Sequence, residues 1–535
     1  MRLRMQAMFL FIVLCGVGLT GCNATKQGWT EEMRQTYYHA SQGTKLLPYA
    51  WFLALEQATN SQLFLSDDHI RQFGIIPDHN PLKNPDQLPV GFAKTSDPIT
   101  RQTWMGLACA ACHTGEISYK GHTIRIDGGP AMLDALTLPQ AIAQAVGATL
   151  TNPQKFDRFA KAVLRENENG TTRQQLAQQV TAYVQNLQSI NQSDEHHKTY
   201  PSQWGFGRLD ALGRGGNSVL TKLDPRNLRP ADAPVSFPAV WNAWTFDWVQ
   251  WNGAIKQPMG RNLGEAIGVN ASLLLNPGED QFAASVNVQE LAAIEELIQK
   301  LQPPVWPAKI FGTVDQEKVK RGASLYGQHC AHCHVPKLSA PNQYGKQFKE
   351  VNLIPLAEIG TDPVSAMNFH NRTVETGPLG LGVKTAAEVT AYLTSKIRDR
   401  QYQALGLSPE QQQAWDGYRL NLWRAPLAYM ARPHIAAWTL APYLHNGSVP
   451  NLYQLLSPRE QRDAVFYVGN TEFDPKHVGF LSHQTSDHDF KFDTRLPGNS
   501  NAGHEFRDGT KENGTIGPAL SDQERWDIIE YLKTL

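Results

Sequence analysis

The sequence predicts a mainly α chain of two domains, with long ordered loops and a few short strands. Three observations predict it. Apolar residues recur at helical spacing in a series of segments; Gln302-Pro303-Pro304-Val305-Trp306-Pro307 is a stiff linker between two of them; and the pattern Cys-x-x-Cys-His occurs twice, once on each side of that linker. A chain of 535 residues is too long for one ordinary domain. With 41% hydrophobic and 19% charged residues it has the composition of a folded core rather than of disorder. Lys+Arg number 49 against 50 Asp+Glu, so there is no basic stripe for nucleic acid and no polyanionic tail.

The N-terminus reads as an export signal over residues 1–21. Arg2 and Arg4 precede an apolar run from Met5 to Leu19, shorter than the roughly 20 residues of a spanning helix. The run ends in Leu19-Thr20-Gly21-Cys22, which resembles a bacterial lipoprotein box and implies acylation of Cys22. Asn23 after that cysteine implies sorting to the outer membrane, so the expected location is the periplasm, with a lipid anchor. The two domains are then expected at 22–305 and 306–535.

From Asn23 to Leu65 the chain reads as a tether and then an aromatic-rich stretch, and Pro77 to Pro98 reads as loop. Glu116–Tyr119 and Thr123–Ile126 flank Lys120-Gly121-His122 as a short hairpin. Helices are expected over Leu136–Val146, Pro153–Glu166, Thr171–Ile190, Glu290–Leu301, Asp315–Tyr326 and the terminal Ser521–Leu535. The Gly-, Pro- and Trp-rich stretch Pro201–Gly268 shows little periodicity and reads as long ordered loops over a cofactor.

The two motifs are Cys109-Ala110-Ala111-Cys112-His113 and Cys330-Ala331-His332-Cys333-His334. Two residues between the thiols put both sulfurs on one side of a single turn, matching the two vinyl groups of a porphyrin. The next histidine then swings under the ring to bind iron. Zinc would need both pairs to converge on one ion, and a redox dithiol needs no adjacent histidine. Cys15 leaves with the signal and Cys22 takes lipid, so the four motif thiols account for every other cysteine. The expected cofactors are two covalently bound haem c, with calcium between the domains left open.

The sixth ligand separates electron transfer from catalysis. No methionine follows Met430, so for the second haem the candidates are histidines. His504, in the glycine-bounded loop Pro497–Phe506, is favoured; His445, in Ala441-Pro442-Tyr443-Leu444-His445-Asn446-Gly447-Ser448, is the alternative ligand or an inner hydrogen-bonding residue. Around the first haem, Phe237–Gly268 offers no histidine, and His69, His79, His122, His196 and His197 stand in polar contexts. An open site over an apolar pocket is expected there. Glu265 is the candidate acid/base if desolvated, against the alternative of an exposed glutamate at a helix start. One of Trp241, Trp244, Trp248 and Trp251 could relay an electron between the haems.

The doubled motif, the Ala441–Ser448 segment and the terminal helix resemble the bacterial di-haem cytochrome c peroxidase superfamily, which includes the methylamine-utilisation di-haem enzyme. Gln42–Tyr49, Cys109–Gly115, Asp127-Gly128-Gly129-Pro130 and Asn499–Phe506 look like its rubber-oxygenase branch. The resemblance implies two cytochrome c-like haem domains, His113 and His334 as proximal ligands, His504 distal to the second haem and an open first haem. It implies either peroxide reduction, with electrons from a small periplasmic cytochrome c or cupredoxin, or oxygen insertion into an apolar polyene. A membrane-anchored electron carrier is the third alternative, and the length of the chain beyond a simple carrier argues for substrate handling.

Overall fold

Helix outweighs strand in the computed structural model, 40% against 15%, and the strands pair only in small two- and three-stranded sheets. The structure describes residues 23–24, 26–509 and 513–535. The export signal, Cys15 and Cys22 lie outside the described residues. Among the described residues no helix is long and apolar enough to cross a membrane.

The chain is docked almost from its first described residue, so the expected tether is shorter than the sequence suggests. Asn23–Ala24 run parallel to Ile124–Arg125, and the Gln27 side chain both donates to the Asp127 carbonyl (2.8 Å) and accepts from its N–H (2.9 Å). Helix α1 (Glu31–His39) follows, capped by Thr30, and buries Tyr37 and Tyr38. The expected loop Pro77–Pro98 ends in a strand: β1 (Phe92–Ser96) pairs antiparallel with β2 (Thr103–Leu107), a partner that local composition does not reveal. The first Cys-x-x-Cys turn comes directly after β2. The hairpin expected around Lys120-Gly121 is present, as β3 (Thr114–Tyr119) and β4 (His122–Asp127). Gly91, at φ +84°, abuts the backbone of Ala111, so only a residue without Cβ lets the start of β1 lie against the Cys109–Cys112 turn.

Helices α2 (Thr137–Thr151), α3 (Pro153–Leu164) and α4 (Gly170–His197) match the three expected periodic segments; α2 and α4 run past them at the C-terminal end, and α3 stops short of Glu166. Pro201–Gly268 departs from expectation, since it contains two helices, α5 (Gly213–Leu220) and α6 (Pro258–Gly268). Three glycines in α5 and proline at the first position of α6 mask the helical pattern; tertiary packing supplies what propensity lacks. Helix α7 (Val288–Lys300) leads to the linker.

Beyond the linker, α8 (Gln316–His329) delivers the second motif, and α9 (Ala386–Ala404) lies between that motif and the terminal helix α10 (Asp522–Leu532). Helices α8 and α10 cross closely at Gly322, where a Cβ would run into the backbone of Asp527. Arg321 clamps the crossing with two bonds to the Asp527 carboxylate, 2.7 and 2.8 Å. One apolar core contains residues from both sides of the linker, from Trp29 to Leu532, and a second gathers Leu47 to Val180. The linker sits inside the first: Trp306 packs on Trp438 at 5.6 Å, and Trp438 donates to the Pro304 carbonyl.

Candidate haem sites and the pocket beside them

Each motif folds as a tight helical turn, Cys109–Ala111 in one case and Ala331–His334 in the other. Burial pushes the thiols of Cys112 and Cys330 up to about 12, and that of Cys109 up as well. These are uncharged sulfurs against apolar neighbours. Among the described residues no group of three or more His, Cys, Asp or Glu converges as an ion site, so the two thiol pairs do not meet on one zinc.

The histidines are oriented by backbone. His113 Nδ1 lies 2.8 Å from the carbonyl of Pro238, and His334 Nδ1 lies 2.7 Å from that of Arg432. A carbonyl only accepts, so Nδ1 carries the proton in both rings and Nε2 keeps a free lone pair, the form a metal requires. Burial favours the neutral ring as well: it lowers His113 to about 4 and moves His334 in the same direction.

Of the two candidate distal histidines, the structure brings His504 to the second motif. Its ring centre is 6.1 Å from that of His334. Two imidazoles sharing one metal through bonds of about 2 Å have ring centres about 6 Å apart. His504 is fixed in the left-handed region at φ +48°; its N–H donates to Ile359 (3.0 Å) and its carbonyl accepts from Arg462 (2.9 Å). Its Nδ1 is buried without a partner, and burial lowers the ring to about 3. A buried imidazole at this spacing from another ligand-competent histidine fits a group held between the two. Both motifs therefore fit haem c.

His445 is held elsewhere. It is buried, stacked 3.9 Å above Tyr429, and its carbonyl accepts from Ser236. Burial lowers it to about 3, far below an unfolded histidine. A depressed histidine pKa contributes stability above the unfolded value, near pH 6.5, and that contribution is lost as pH falls towards 3. His445→Asn is expected to flatten the fall of melting temperature between pH 7 and pH 4; an unchanged acid slope would contradict this account.

The sequence names His434 but does not single it out, yet its ring stacks on His334 at 3.9 Å, with Nδ1 3.2 Å from the Tyr326 hydroxyl. Arg432 and His434 thus hold the axial ring from its Nδ1 and from its face. The five other histidines divide: His122, His196, His197 and His79 are exposed as expected, whereas His69 lies edge-on between Phe64 and Phe73, at 4.7 and 5.3 Å. Its flanking aspartates disguise an apolar contact. His332, between the thiols, is exposed.

Beside the first motif, α5, α6 and α9 line a cavity of about 110 Å³. Leu212, Val219, Ile267, Phe369, Leu393 and Trp423 line it, with Gln250, Arg261 and Glu265 as a polar edge. Glu265 is neither at a helix start nor exposed: it stands in the last turns of α6, half-buried, accepting from Gln250 Nε2 at 3.0 Å. Desolvation raises its carboxyl, partly offset by Arg261, which is itself paired with Glu295. Its charge in turn raises the thiols of Cys109 and Cys112, which places it on the haem side of the helix.

Residues 428–467 match the family described as RoxA-like, cytochrome c-like. Over 559 aligned residues, 95% of this chain and 92% of the relative, the chain is 38% identical to the uncharacterized protein y4iJ of Sinorhizobium fredii (strain NBRC 101917 / NGR234). The chain belongs to the same family as y4iJ. A second protein of that organism, y4iM, is 26% identical over 309 residues, 56% of this chain and 63% of y4iM. The matched segment starts at the strand Ala428–Met430, runs through Arg432, His434 and His445, and stops short of His504. A cytochrome c-like domain implies covalently bound haem c and an oxidoreductase-type haem protein in this member of the y4iJ family.

Proposed function

We propose that this chain is an exported di-haem c-type oxidoreductase whose N-terminal site uses oxygen on an apolar substrate, the C-terminal site serving to bring the N-terminal one to its reduced, oxygen-binding state. The observation that carries it is the cavity beside the Cys109–His113 turn. Its walls are mainly aliphatic and aromatic, a lining suited to an apolar organic group. The RoxA-like match supports the same direction.

Cys109, Cys112 and His113 would hold the first haem, and Cys330, Cys333, His334 and His504 the second. Haem at the first site supplies the redox chemistry on a small oxidant. The protein's own part is to exclude water and orient. Leu212, Val219, Phe369 and Leu393 would seat an apolar chain, while Gln250 fixes the carboxyl of Glu265 at the edge. The lipid on Cys22 would tether the molecule on the periplasmic side of the outer membrane, within reach of a small cytochrome c or cupredoxin.

A second reading, peroxide reduction, is favoured by Glu265. A carboxyl with a raised pKa can take a proton from one peroxide oxygen and return it to the other. The base form exists only above that raised value, so this activity would fall on acidification earlier than an ordinary carboxylate allows. The test sets both reactions side by side on the purified holoprotein. Oxygen uptake with a short apolar polyene, yielding carbonyl products, is expected, and Glu265→Gln should leave it within about twofold. Rapid peroxide-driven oxidation of reduced cytochrome c, with no polyene turnover and a loss of about 10²-fold or more in Glu265→Gln, would replace the oxygenase reading with the peroxidase one.

A further inference from the structure

We infer that Arg432 is the electron bridge between the two axial histidines; the inference rests on the two-haem reading above. The bridge is continuous. His113 Nδ1 donates to the Pro238 carbonyl at 2.8 Å. The next carbonyl, that of Ala239, accepts from Arg432 Nη2 at 2.8 Å. The carbonyl of Arg432 itself accepts from His334 Nδ1 at 2.7 Å. One side chain therefore grips the loop segment that orients the first imidazole, while its own backbone orients the second. Three hydrogen bonds and covalent bonds join the rings without a van der Waals gap.

The tryptophans of this region are the rival route. Trp241 commits its single N–H to Ile435 (3.3 Å) and Trp251 to Ser236 (2.8 Å), so neither indole donates to an axial imidazole. Trp251 lies under the guanidinium of Arg432, 5.4 Å from its ring centre, and packs the bridge rather than forming it. Hydrogen bonds in series polarise one another, and a bond to Nδ1 of an axial histidine is felt at the metal. In the step itself one electron leaves the iron at His334, which is oxidised, and reaches the iron at His113, which is reduced. No bond breaks and no proton moves, since a guanidinium does not give one up.

The test uses the full-length holoprotein with both irons oxidised. A photoexcited flavin delivers one electron, and absorbance follows its passage from the second haem to the first. In Arg432→Met the passage is expected to slow by at least an order of magnitude, with haem content, melting temperature and spin-state spectra retained. A residue that only packs the seam would move the melting temperature and leave the rate. A wild-type rate in Arg432→Met overturns the inference. Trp251→Phe is measured alongside, so that a folding failure of the first variant leaves a decision: an unchanged rate is expected, and a slowed one overturns the bridge in favour of the indole. A wild-type protein carrying fewer than two haems defeats the two-haem reading instead and is recognised by mass before any rate is measured.

Discussion

Cys109→Ser/Cys112→Ser is expected to lower the mass of the mature protein by one macrocycle and to abolish turnover, while the second haem stays attached and reducible. The physical reason is the way the first site is built. His113 hangs from one carbonyl bond to Pro238, and among the described residues its ring contact is Phe237 rather than a second histidine, as His504 is for His334. Without thioethers, the bond to His113 alone would have to hold a large ring. The paired substitution at Cys330 and Cys333 should do the reverse, leaving a first haem that is active only after it has been reduced from outside. Intact-protein mass spectrometry and the reduced absorbance spectrum check both. A double variant that keeps the full mass of wild type would mean the thiols are not the attachment points.

His504→Ala should convert one haem from low-spin to high-spin and raise its potential, with the other haem unaltered. The ring that disappears is the one 6.1 Å from His334, its Nδ1 otherwise unpaired. His445→Ala provides the contrast: it removes a stack on Tyr429 and should destabilise the fold as any buried large-to-small change does, by about 2–4 kcal/mol, without altering the spin state. Electron paramagnetic resonance of the two variants decides. A low-spin second haem in His504→Ala together with a high-spin one in His445→Ala would exchange their roles.

What could be read from the chain alone follows the range of the forces involved. The Cys-x-x-Cys-His turns are local: spacing within five residues defines them, and the structure only adds the carbonyls that set the tautomers. The long helices declare themselves because their apolar residues repeat many times over. The hairpin at Lys120-Gly121 rests on turn chemistry that composition also carries. Helix α5 escaped because Gly213, Gly215 and Gly216 are poor helix formers, held helical here by packing against α6. Arg432 and His434 escaped for another reason. Arg432 acts across the seam between the segment 236–251 and the segment 430–445, where Ser236 bonds His445, Met430 bonds Trp251 and Arg432 bonds Ala239, and His434 reaches Tyr326 and His334, about a hundred residues earlier in the chain. Nothing in either segment announces its partner. Glu265 lies between these cases, since the sequence marks it as a candidate and only the fold settles its depth.

The burial of the thiols has a bearing on how the molecule is made. Cys330 is 8% exposed, and the sulfurs of both turns are too deeply desolvated to ionise near neutrality. A ligase that forms thioethers needs access to sulfur and vinyl carbon together, and the folded turns restrict it, most of all at Cys330. Attachment is therefore expected to precede closure, so that a variant folding too early would trap itself without cofactor.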